Sequence, residues 1–280
     1  MPNSRLIDGQ FAVGDPCWFD LSTNDVSRAT EFYSHVFGWR FVSASTALGD
    51  DSAAYQLATN GKQTVAGIGQ VVAAFDRPTA WWAHFAAPNI GAMIKRVREL
   101  GGEADEPVKV HGQGQMAIAR DPHGAAFGVW NPRTLRSPAL TDTPGTVHWI
   151  ELHARDPQAV AGFYEKLFGV VAVPVESKQG DEPGGTLNLR RWELGQPRML
   201  AGILPLATAA GGSITGHAEP HWRIYFLVVD VESAGRRAEE AGGVILREQR
   251  DALAHRVLVV EDALGAVFGL VERGTGSSAG

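Results

Sequence analysis

The chain has 280 residues, 44% of them hydrophobic, with a formal net charge of −6 and a single cysteine, Cys17. This length and composition predict a globular protein large enough for two packed cores. The acidic balance and the scattered basic residues argue against a nucleic-acid or membrane surface. One cysteine excludes an internal disulfide and a cysteine-rich zinc site. With no signal-peptide pattern and no apolar run of membrane-spanning length, we expect a cytoplasmic protein.

The first patterned stretch predicts a strand followed by a helix. Apolar and polar residues alternate from Pro16 to Ser22, as on a half-buried strand. Asn24 or Asp25 supplies a helix N-cap, and Gly38 ends that helix. Strand-like runs follow at 39–43, 53–58 and 63–71. The first unit is therefore a strand, a helix and three further strands.

A second unit of the same kind follows directly. A strand at 81–87 leads to a helix that Asn89 caps and that Gly101 and Gly102 close. Three more strands are predicted at 108–111, 115–120 and 125–130. The stretch that follows contains three Pro and several Ser and Thr, which is typical of a linker.

The second half of the chain repeats the first. Matching residues share one offset of 131 positions: Trp18/Trp149, Asp20/Glu151, Leu21/Leu152, Asp25/Asp156, Phe32/Phe163, Tyr33/Tyr164, Phe37/Phe168 and Gly38/Gly169. Self-similarity at a fixed spacing indicates a tandem duplication. The second half is longer mainly in the Gly-, Ala- and Ser-rich loop 207–220, which we interpret as a flexible flap beside a cleft.

These patterns divide the chain into five parts. We predict an N-terminal arm at 1–13, a first domain at 14–131, a linker at 132–145, a second domain at 146–272 and a flexible tail at 273–280. Each domain contains two strand-helix-three-strand (βαβββ) modules, so the predicted fold class is α+β.

Four such modules, with Phe-Tyr near the end of the first helix of each half, resemble the vicinal oxygen chelate superfamily. The segments that carry the likeness are 23–38, 120–124 and 261–265, and it covers roughly residues 15–272. The superfamily includes glyoxalase I, extradiol dioxygenases and the bleomycin and fosfomycin resistance proteins. The resemblance implies curved mixed sheets that surround one cleft in each of two tandem glyoxalase-like halves.

The resemblance also implies positions for metal ligands, which in this superfamily are His, Glu or Gln on the first strand of each unit and on the last strand. The corresponding positions here are Trp18 and Trp149, then Ala83 and Ile224 or their neighbours, and finally Gly128 and Gly269. The remaining stretches, 65–69 and 200–204, contain no His, Asp or Glu. An indole has no lone pair to give to a metal ion. We therefore predict no metal site and no cofactor.

Histidines elsewhere in the chain leave one metal-binding alternative open. Predicted turns contain most of them: His111, His123, His217, His221 and His255. A solvated surface side chain is the more common state for a histidine in a turn. A shift of one residue in strand register brings in His84 or His148 but restores no carboxylate.

Strand alternation predicts a row of side chains along each cleft. Trp18, Asp20 and Ser22 share one strand face in the first half, and Trp149 leads the equivalent row in the second. The apolar residues that alternate with these rows along each strand should face the helices.

Two further tryptophans, Trp81 and Trp222, are assigned to the same cleft faces, with core packing as an equal alternative. The predicted ligand-binding residues are therefore Trp18, Trp149, Trp81, Trp222 and Ser22. Aromatic walls with a few polar groups favour a flat, apolar or conjugated ligand.

The carboxylates in the two rows are candidates for acid–base chemistry. A carboxylate beside indoles loses hydration, which raises its pKa and suits a general acid or base. His153 lies two residues from Glu151 on the same face, which favours the second half. The predicted catalytic residues are Glu151, His153 and Asp20. The alternative for each carboxylate is an ion pair with Arg120, Arg223 or Arg247.

Three functions remain open at this stage. The first is a metal-free protein that binds a small aromatic or hydrophobic molecule, for sequestration or sensing. The second is a cofactor-independent isomerase, lyase or cyclase that uses Glu151 with His153. The third, ranked last because its ligands are missing, is a metal-dependent lyase or dioxygenase. The expected partner is a small molecule, without nucleic acid or membrane, and the expected state is a monomer or homodimer.

Overall fold

The computed structural model describes residues 11–44, 55–70, 79–110, 114–132, 140–174, 187–193, 196–206, 219–250 and 255–272. The first half contains two βαβββ units, the second with an additional short strand. Its elements are β1 (Pro16–Thr23), α1 (Val26–Phe37), β2 (Arg40–Ser43), β3 (Tyr55–Asn60), β4 (Gln63–Gln70), β5 (Ala80–Ala86), α2 (Ile90–Glu99), β6 (Glu103–Ala104), β7 (Val108–Val110), β8 (Gly114–Arg120) and β9 (Ala126–Pro132).

The second half has the same plan. Its elements are β10 (Val147–Ala154), α3 (Pro157–Phe168), β11 (Val171–Pro174), β12 (Leu187–Glu193), β13 (Gln196–Pro205), β14 (His221–Val228), α4 (Val231–Glu240), β15 (Val244–Arg250), β16 (Arg256–Glu261) and β17 (Val267–Glu272).

Each half folds into one curved mixed sheet. The strand order is β2-β3-β4-β1-β5-β9-β8-β6 in the first half, with β7 also paired to β8, and β11-β12-β13-β10-β14-β17-β16-β15 in the second. The strands that open the two units of a half run antiparallel at the centre of its sheet. This topology confirms the predicted α+β class with two tandem halves.

Local sequence sets the ends of the helices. An Asx residue caps each one by accepting a backbone N–H three residues further on: Asp25, Asn89, Asp156 and Asp230. The first helix of each half ends at a glycine in the left-handed conformation, Gly38 at φ 73° and Gly169 at φ 67°. A side chain is strained at such a φ, so glycine is the favoured residue there.

A single hydrophobic core extends across both halves. The apolar faces of β1 and β10, with Phe19 and Ile150, belong to the same buried cluster as the inward faces of all four helices. Helix α1 packs against α4, and α2 packs against α3, so each half contributes helices to its neighbour. The Arg237 Nε donates to the Val36 carbonyl oxygen at 3.0 Å across one of these contacts. The two halves therefore share an interface formed by their helices.

Some details of the structure differ from the sequence prediction, and some predicted segments lie outside the described residues. Phe11 and Ala12, within the predicted arm, are buried in the structure. Strand β6 was not predicted, and β9 continues to Pro132. Residues 207–218 of the predicted flap and the tail 273–280 lie outside the described residues. Among the helices of the described ranges, none is long and apolar enough to cross a membrane.

Candidate functional site

The register of the central strands decides which side chains face each cleft. In the first half, Leu21 lies opposite Trp81 and Asp20 lies opposite Trp82. Directly opposed residues of an antiparallel pair share a sheet face. Because Leu21 and Trp81 belong to the helix-side core, Asp20 and Trp82 lie on the other face, here called the cleft face.

The same register holds in the second half. Leu152 lies opposite Trp222 in the core, whereas Glu151 lies opposite Arg223 on the cleft face. Trp149, opposite Tyr225, also lies on the cleft face. The predicted cleft-face rows led by Trp18 and Trp149 are therefore placed as expected.

The predicted placement of Trp81 and Trp222 in the clefts is wrong. Both side chains are buried in the helix-side core. Trp81 Nε1 donates to the Tyr33 hydroxyl at 2.8 Å, and Trp222 Nε1 donates to the Tyr164 hydroxyl at 3.1 Å. On each strand, the residue that faces the cleft is the one after the tryptophan, Trp82 or Arg223. Because side chains alternate along a strand, an error of one position in the strand alignment moves a residue to the wrong sheet face.

These tryptophans begin two buried hydrogen-bond chains that connect the halves. The Tyr33 hydroxyl donates to Asp262 Oδ2 at 2.8 Å, and the Tyr164 hydroxyl donates to Asp121 Oδ2 at 2.9 Å. Burial raises the pKa of both carboxyls, although hydrogen bonds from the tyrosines and from backbone amides oppose that rise. The repeated Phe-Tyr motif therefore has a structural role between the halves.

Four side chains on the cleft face of the first half form one hydrogen-bonded network. Trp18 Nε1 donates to the Tyr55 hydroxyl at 2.9 Å, and that hydroxyl donates to Asp20 Oδ2 at 3.2 Å. The other oxygen, Oδ1, lies 3.0 Å from His84 Nε2. Burial, and then the Asp20 charge, raises the pKa of Tyr55 well above its usual value. The tyrosine is therefore a neutral hydrogen-bond donor to the carboxylate.

Glycines on the neighbouring strands leave room for these hydrogen-bonded side chains. A Cβ at Gly67 would lie 1.9 Å from the Tyr55 hydroxyl oxygen, and one at Gly128 would lie 2.0 Å from His84 Nδ1. Gly128 is one of the positions at which the resemblance implies a metal ligand. Here its lack of a side chain admits the imidazole ring instead.

Trp18 is enclosed by other side chains of the first half. It is 3% exposed and belongs to a buried cluster with Phe11, Cys17 and Trp130. Ser22 is half-buried at the end of the same row. Burial raises the pKa of the Cys17 thiol, so the residue is an inert apolar group. The burial of Trp18 and its hydrogen bond to Tyr55 give this residue a packing role in the first half.

The cleft face of the second half has a different chemistry. Glu151, His153, Arg223 and Tyr225 are all buried there, and His221 is half-buried beside them. Arg223 Nη1 lies 3.3 Å from His153 Nε2, and Arg223 Nη2 lies 2.8 Å from His221 Nε2. The two imidazole rings are stacked with their centroids 5.0 Å apart. The guanidinium is thus held between two histidines.

The partners of the ring nitrogens show which nitrogen donates a hydrogen bond and which accepts one. His221 Nδ1 lies 2.8 Å from the Glu219 carbonyl oxygen, which only accepts, so this nitrogen carries the proton. Its Nε2 therefore presents a lone pair to Arg223, which only donates. The same reasoning makes His153 Nε2 an acceptor from Arg223. Both rings therefore orient the guanidinium.

Glu151 is the counter-charge in this cluster. Burial by itself raises the pKa of Glu151, but interactions with His153, Tyr225 and Arg223 outweigh burial and hold the pKa below its usual value. Its Oε2 atom lies 3.6 Å from His153 Nε2, longer than a normal hydrogen bond. The carboxylate is therefore ionised at neutral pH. Arg223, one of the three arginines considered as partners, lies directly opposite Glu151 on the next strand, and its charge helps to lower the pKa of that carboxyl.

Sequence reasoning did not identify several residues of the two cleft faces. Tyr55, Trp82 and Tyr225 were not considered, whereas His84 and His221 were considered only as metal ligands and Arg223 only as an ion-pair partner. The alternation His221, Arg223, Tyr225 is a period-two signal that, once the register is known, identifies the second-half row.

The residues present do not fit the divalent metal that the resemblance implies. In the described parts of the chain, no group of three or more His, Cys, Asp or Glu side chains is placed to hold a metal ion. In the second half a permanently charged guanidinium, Arg223, lies in the middle of the candidate donors, and a bound cation would face its repulsion. The metal-free character of the protein stays a prediction.

Comparison with known families agrees with this fold. Residues 17–129 match the Glyoxalase/Bleomycin resistance protein/Dioxygenase superfamily, and residues 149–271 match the Glyoxalase-like domain. The chain belongs to this superfamily, as the sequence motifs indicated. The anthracycline biosynthesis protein DnrV of Streptomyces peucetius is 32% identical over 284 residues, which cover 94% of each chain.

Two solved structures share the architecture at low identity. The Mn(II)-bound glyoxalase of Novosphingobium aromaticivorans has a TM-score of 0.60 at 15% identity, over 93% of this chain and 82% of that one. The 2,3-dioxygenase LapB of Pseudomonas sp. KL28 also has a TM-score of 0.60, at 12% identity, over 94% and 93%. At these identities the likeness concerns the fold alone.

Proposed function

We propose that the second half binds a flat aromatic small molecule in its cleft without a metal ion. The observation that carries this proposal is the contrast between two equivalent tryptophans. Trp149 is half-buried and accessible on the cleft face, whereas Trp18 is buried and hydrogen-bonded to Tyr55. An accessible indole stacks on a planar ring, which adds about 0.5–1.5 kcal/mol beyond area burial.

The neighbours of Trp149 support a ligand site. An aromatic wall beside a few convergent polar groups is typical of small-molecule sites. Here the polar groups are the buried Glu151, Arg223 and Tyr225. A relative named for anthracycline biosynthesis supports a fused-ring ligand, because anthracyclines are built on flat aromatic ring systems.

Tryptophan fluorescence tests this proposal. Unsubstituted anthraquinone and a peri-hydroxyanthraquinone serve as probes, titrated against the purified chain. We expect saturable quenching with micromolar or tighter binding, and Trp149→Ala should weaken that binding about tenfold or more. Trp18→Phe, the change at the equivalent first-half position, should leave the affinity within about twofold. Equal losses from both changes, or no saturable binding, contradict the proposal.

A second candidate is a cofactor-independent acid–base enzyme that acts on the same molecule. The observation that favours it is a buried, ionised Glu151 whose Oε2 lies beyond hydrogen-bond distance of His153. The lowered pKa makes Glu151 a weaker base than the burial argument predicted, but this oxygen can still accept a proton from a sufficiently acidic ligand. Under this proposal Glu151→Gln abolishes product formation from a bound aromatic metabolite while binding persists. Unchanged turnover in that variant excludes Glu151 as the base.

A further inference from the structure

We infer that Glu151 and Arg223 together recognise a hydroxyl group that lies beside a carbonyl group on the ligand. This inference rests on the proposed function and names the chemical edge that enters the second-half cleft. The hydroxyl donates its hydrogen to the Glu151 carboxylate, and the carbonyl oxygen accepts from the Arg223 guanidinium.

The two side chains form a matched acceptor and donor on adjacent strands. Glu151 on β10 lies directly opposite Arg223 on β14. Opposed residues of this kind have Cβ atoms about 4.5–5.5 Å apart, so their polar ends reach one small area. A carboxylate only accepts hydrogen bonds and a guanidinium only donates them. The pair therefore presents both functions side by side.

Both groups are held in place before any ligand arrives. Two imidazoles orient the guanidinium, with contacts of 3.3 Å to His153 and 2.8 Å to His221. Glu151 is 8% exposed and Arg223 is 2% exposed, so neither side chain swings freely into solvent. Preorganised groups lose little conformational entropy on binding.

The charge balance of the pair selects a neutral partner. One carboxylate and one guanidinium sum to zero. A simple anion is attracted by Arg223 but repelled by Glu151, and a simple cation meets the reverse. A neutral ligand edge with one donor next to one acceptor satisfies both side chains at once.

The first half lacks this arrangement at the equivalent positions. Asp20 corresponds to Glu151, but it is bonded to Tyr55 and His84 and lies opposite Trp82. The position of the guanidinium in the second half is taken by the indole of Trp82 in the first. Among the central strand residues described, only the second half therefore sets a carboxylate opposite a guanidinium.

Three matched probes test the inference: a peri-hydroxyanthraquinone, its methyl ether and unsubstituted anthraquinone. With the wild-type chain, the hydroxy compound should bind at least about tenfold tighter than either of the others, since its hydrogen bonds are to charged groups. In Glu151→Gln and in Arg223→Lys this preference should fall below about threefold. The affinity for unsubstituted anthraquinone should fall less than that for the hydroxy compound in Glu151→Gln, because that probe lacks the hydroxyl that the carboxylate accepts from.

The visible absorption of the hydroxy compound supplies a second readout. Hydrogen bonding of its hydroxyl to a carboxylate should shift the band to longer wavelength in wild type, and Glu151→Gln should remove that shift. The exposed pair Glu232 and Arg236 on α4 provides matched controls, Glu232→Gln and Arg236→Lys. These should keep both the preference and the shift. Circular dichroism checks that each variant is folded, and the double variant Glu151→Gln/Arg223→Gln substitutes if a single change unfolds the chain.

The outcomes separate this inference from the proposed function. If all three probes bind wild type with equal affinity, the inference is overturned and the aromatic site stands. If the preference survives in Glu151→Gln and Arg223→Lys, the pair is likewise excluded as its source. If none of the probes binds, the proposed function and the inference fail together.

Discussion

Tyr33 on α1 donates a 2.8 Å hydrogen bond to Asp262, which lies 229 positions further along the chain in the other half. Tyr164 and Asp121 form the reciprocal bond in the opposite direction. Because each pair is buried, the bonds are protected from water and fix the relative position of the halves. The two halves are expected to unfold as one cooperative unit.

Tyr33→Phe removes the bond to Asp262 together with the bond that Trp81 Nε1 donates to the same hydroxyl, so Asp262 and Trp81 each lose one partner in a buried site. We expect the free energy of unfolding to fall by about 1–3 kcal/mol, measured by urea denaturation. Thr30→Val removes an exposed hydroxyl bond from the same helix and should change stability by less than about 0.5 kcal/mol. Similar effects of the two changes would show that the bond between the halves contributes little.

Glu151 should make stability depend on acidity in a defined direction. Its pKa in the folded state lies below the usual value of 4.5, so the unfolded chain binds the proton more readily. The stabilising contribution is therefore complete above that usual value and is lost as the pH falls through the folded pKa. The difference in unfolding free energy between wild type and Glu151→Gln should shrink over that interval.

Chemical denaturation at a series of pH values measures this difference. Using a difference between two variants cancels the contributions of Asp121 and Asp262, whose raised pKa values act with the opposite sign. Glu232→Gln, at an exposed position, serves as the comparison. A difference that is constant from neutral pH to below pH 4.5 would mean that Glu151 titrates alike in both states.

Gly128→Ala should disturb the first-half cleft through a direct clash. The new Cβ would lie 2.0 Å from His84 Nδ1, so the imidazole must move away from Asp20. We expect a loss of about 1–3 kcal/mol in unfolding free energy. Gly162→Ala lies inside α3 with nothing within 4 Å of the new Cβ, and it should stabilise the protein by up to about 1 kcal/mol. Thermal unfolding of both variants gives the comparison, and equal effects contradict the packing argument.

Trp222→Phe should separate packing from ligand contact. The change removes the 3.1 Å bond to Tyr164 and part of a buried ring, so the denaturation midpoint should drop. The anthraquinone affinity of the folded variant should remain within about twofold of wild type, because the residue faces the helices. Trp149→Phe should show the reverse pattern. A loss of binding in Trp222→Phe at unchanged stability would return that residue to the cleft.

Much of the fold could be predicted from local sequence. The fixed offset between matching residues revealed the duplication. Asp25, one of two candidates, and Asn89 cap helices where the pattern placed them. Strand alternation also put Phe19 and Trp18 on opposite faces correctly. These features depend on periodicity and capping, which neighbouring residues specify within a few positions.

The candidate site was predicted less completely. Trp18 and Trp149 were assigned to the correct faces, but only the structure shows that Trp18 is enclosed and that Trp149 is accessible. The prominent match between Trp81 and Trp222 suggested a cleft role, although both residues serve the core. A repeat in the sequence reveals that a position is shared, and it does not reveal which sheet face the position occupies.

The sequence by itself determined the superfamily, the four modules and the row that contains Glu151 and His153. Tertiary structure alone decided which of the candidate arginines lies opposite Glu151, namely Arg223, and that Tyr33 reaches Asp262. The physical reason is that a shift of one residue in strand register moves every side chain to the other face. Register depends on pairing between strands far apart in the chain, and no local pattern encodes it.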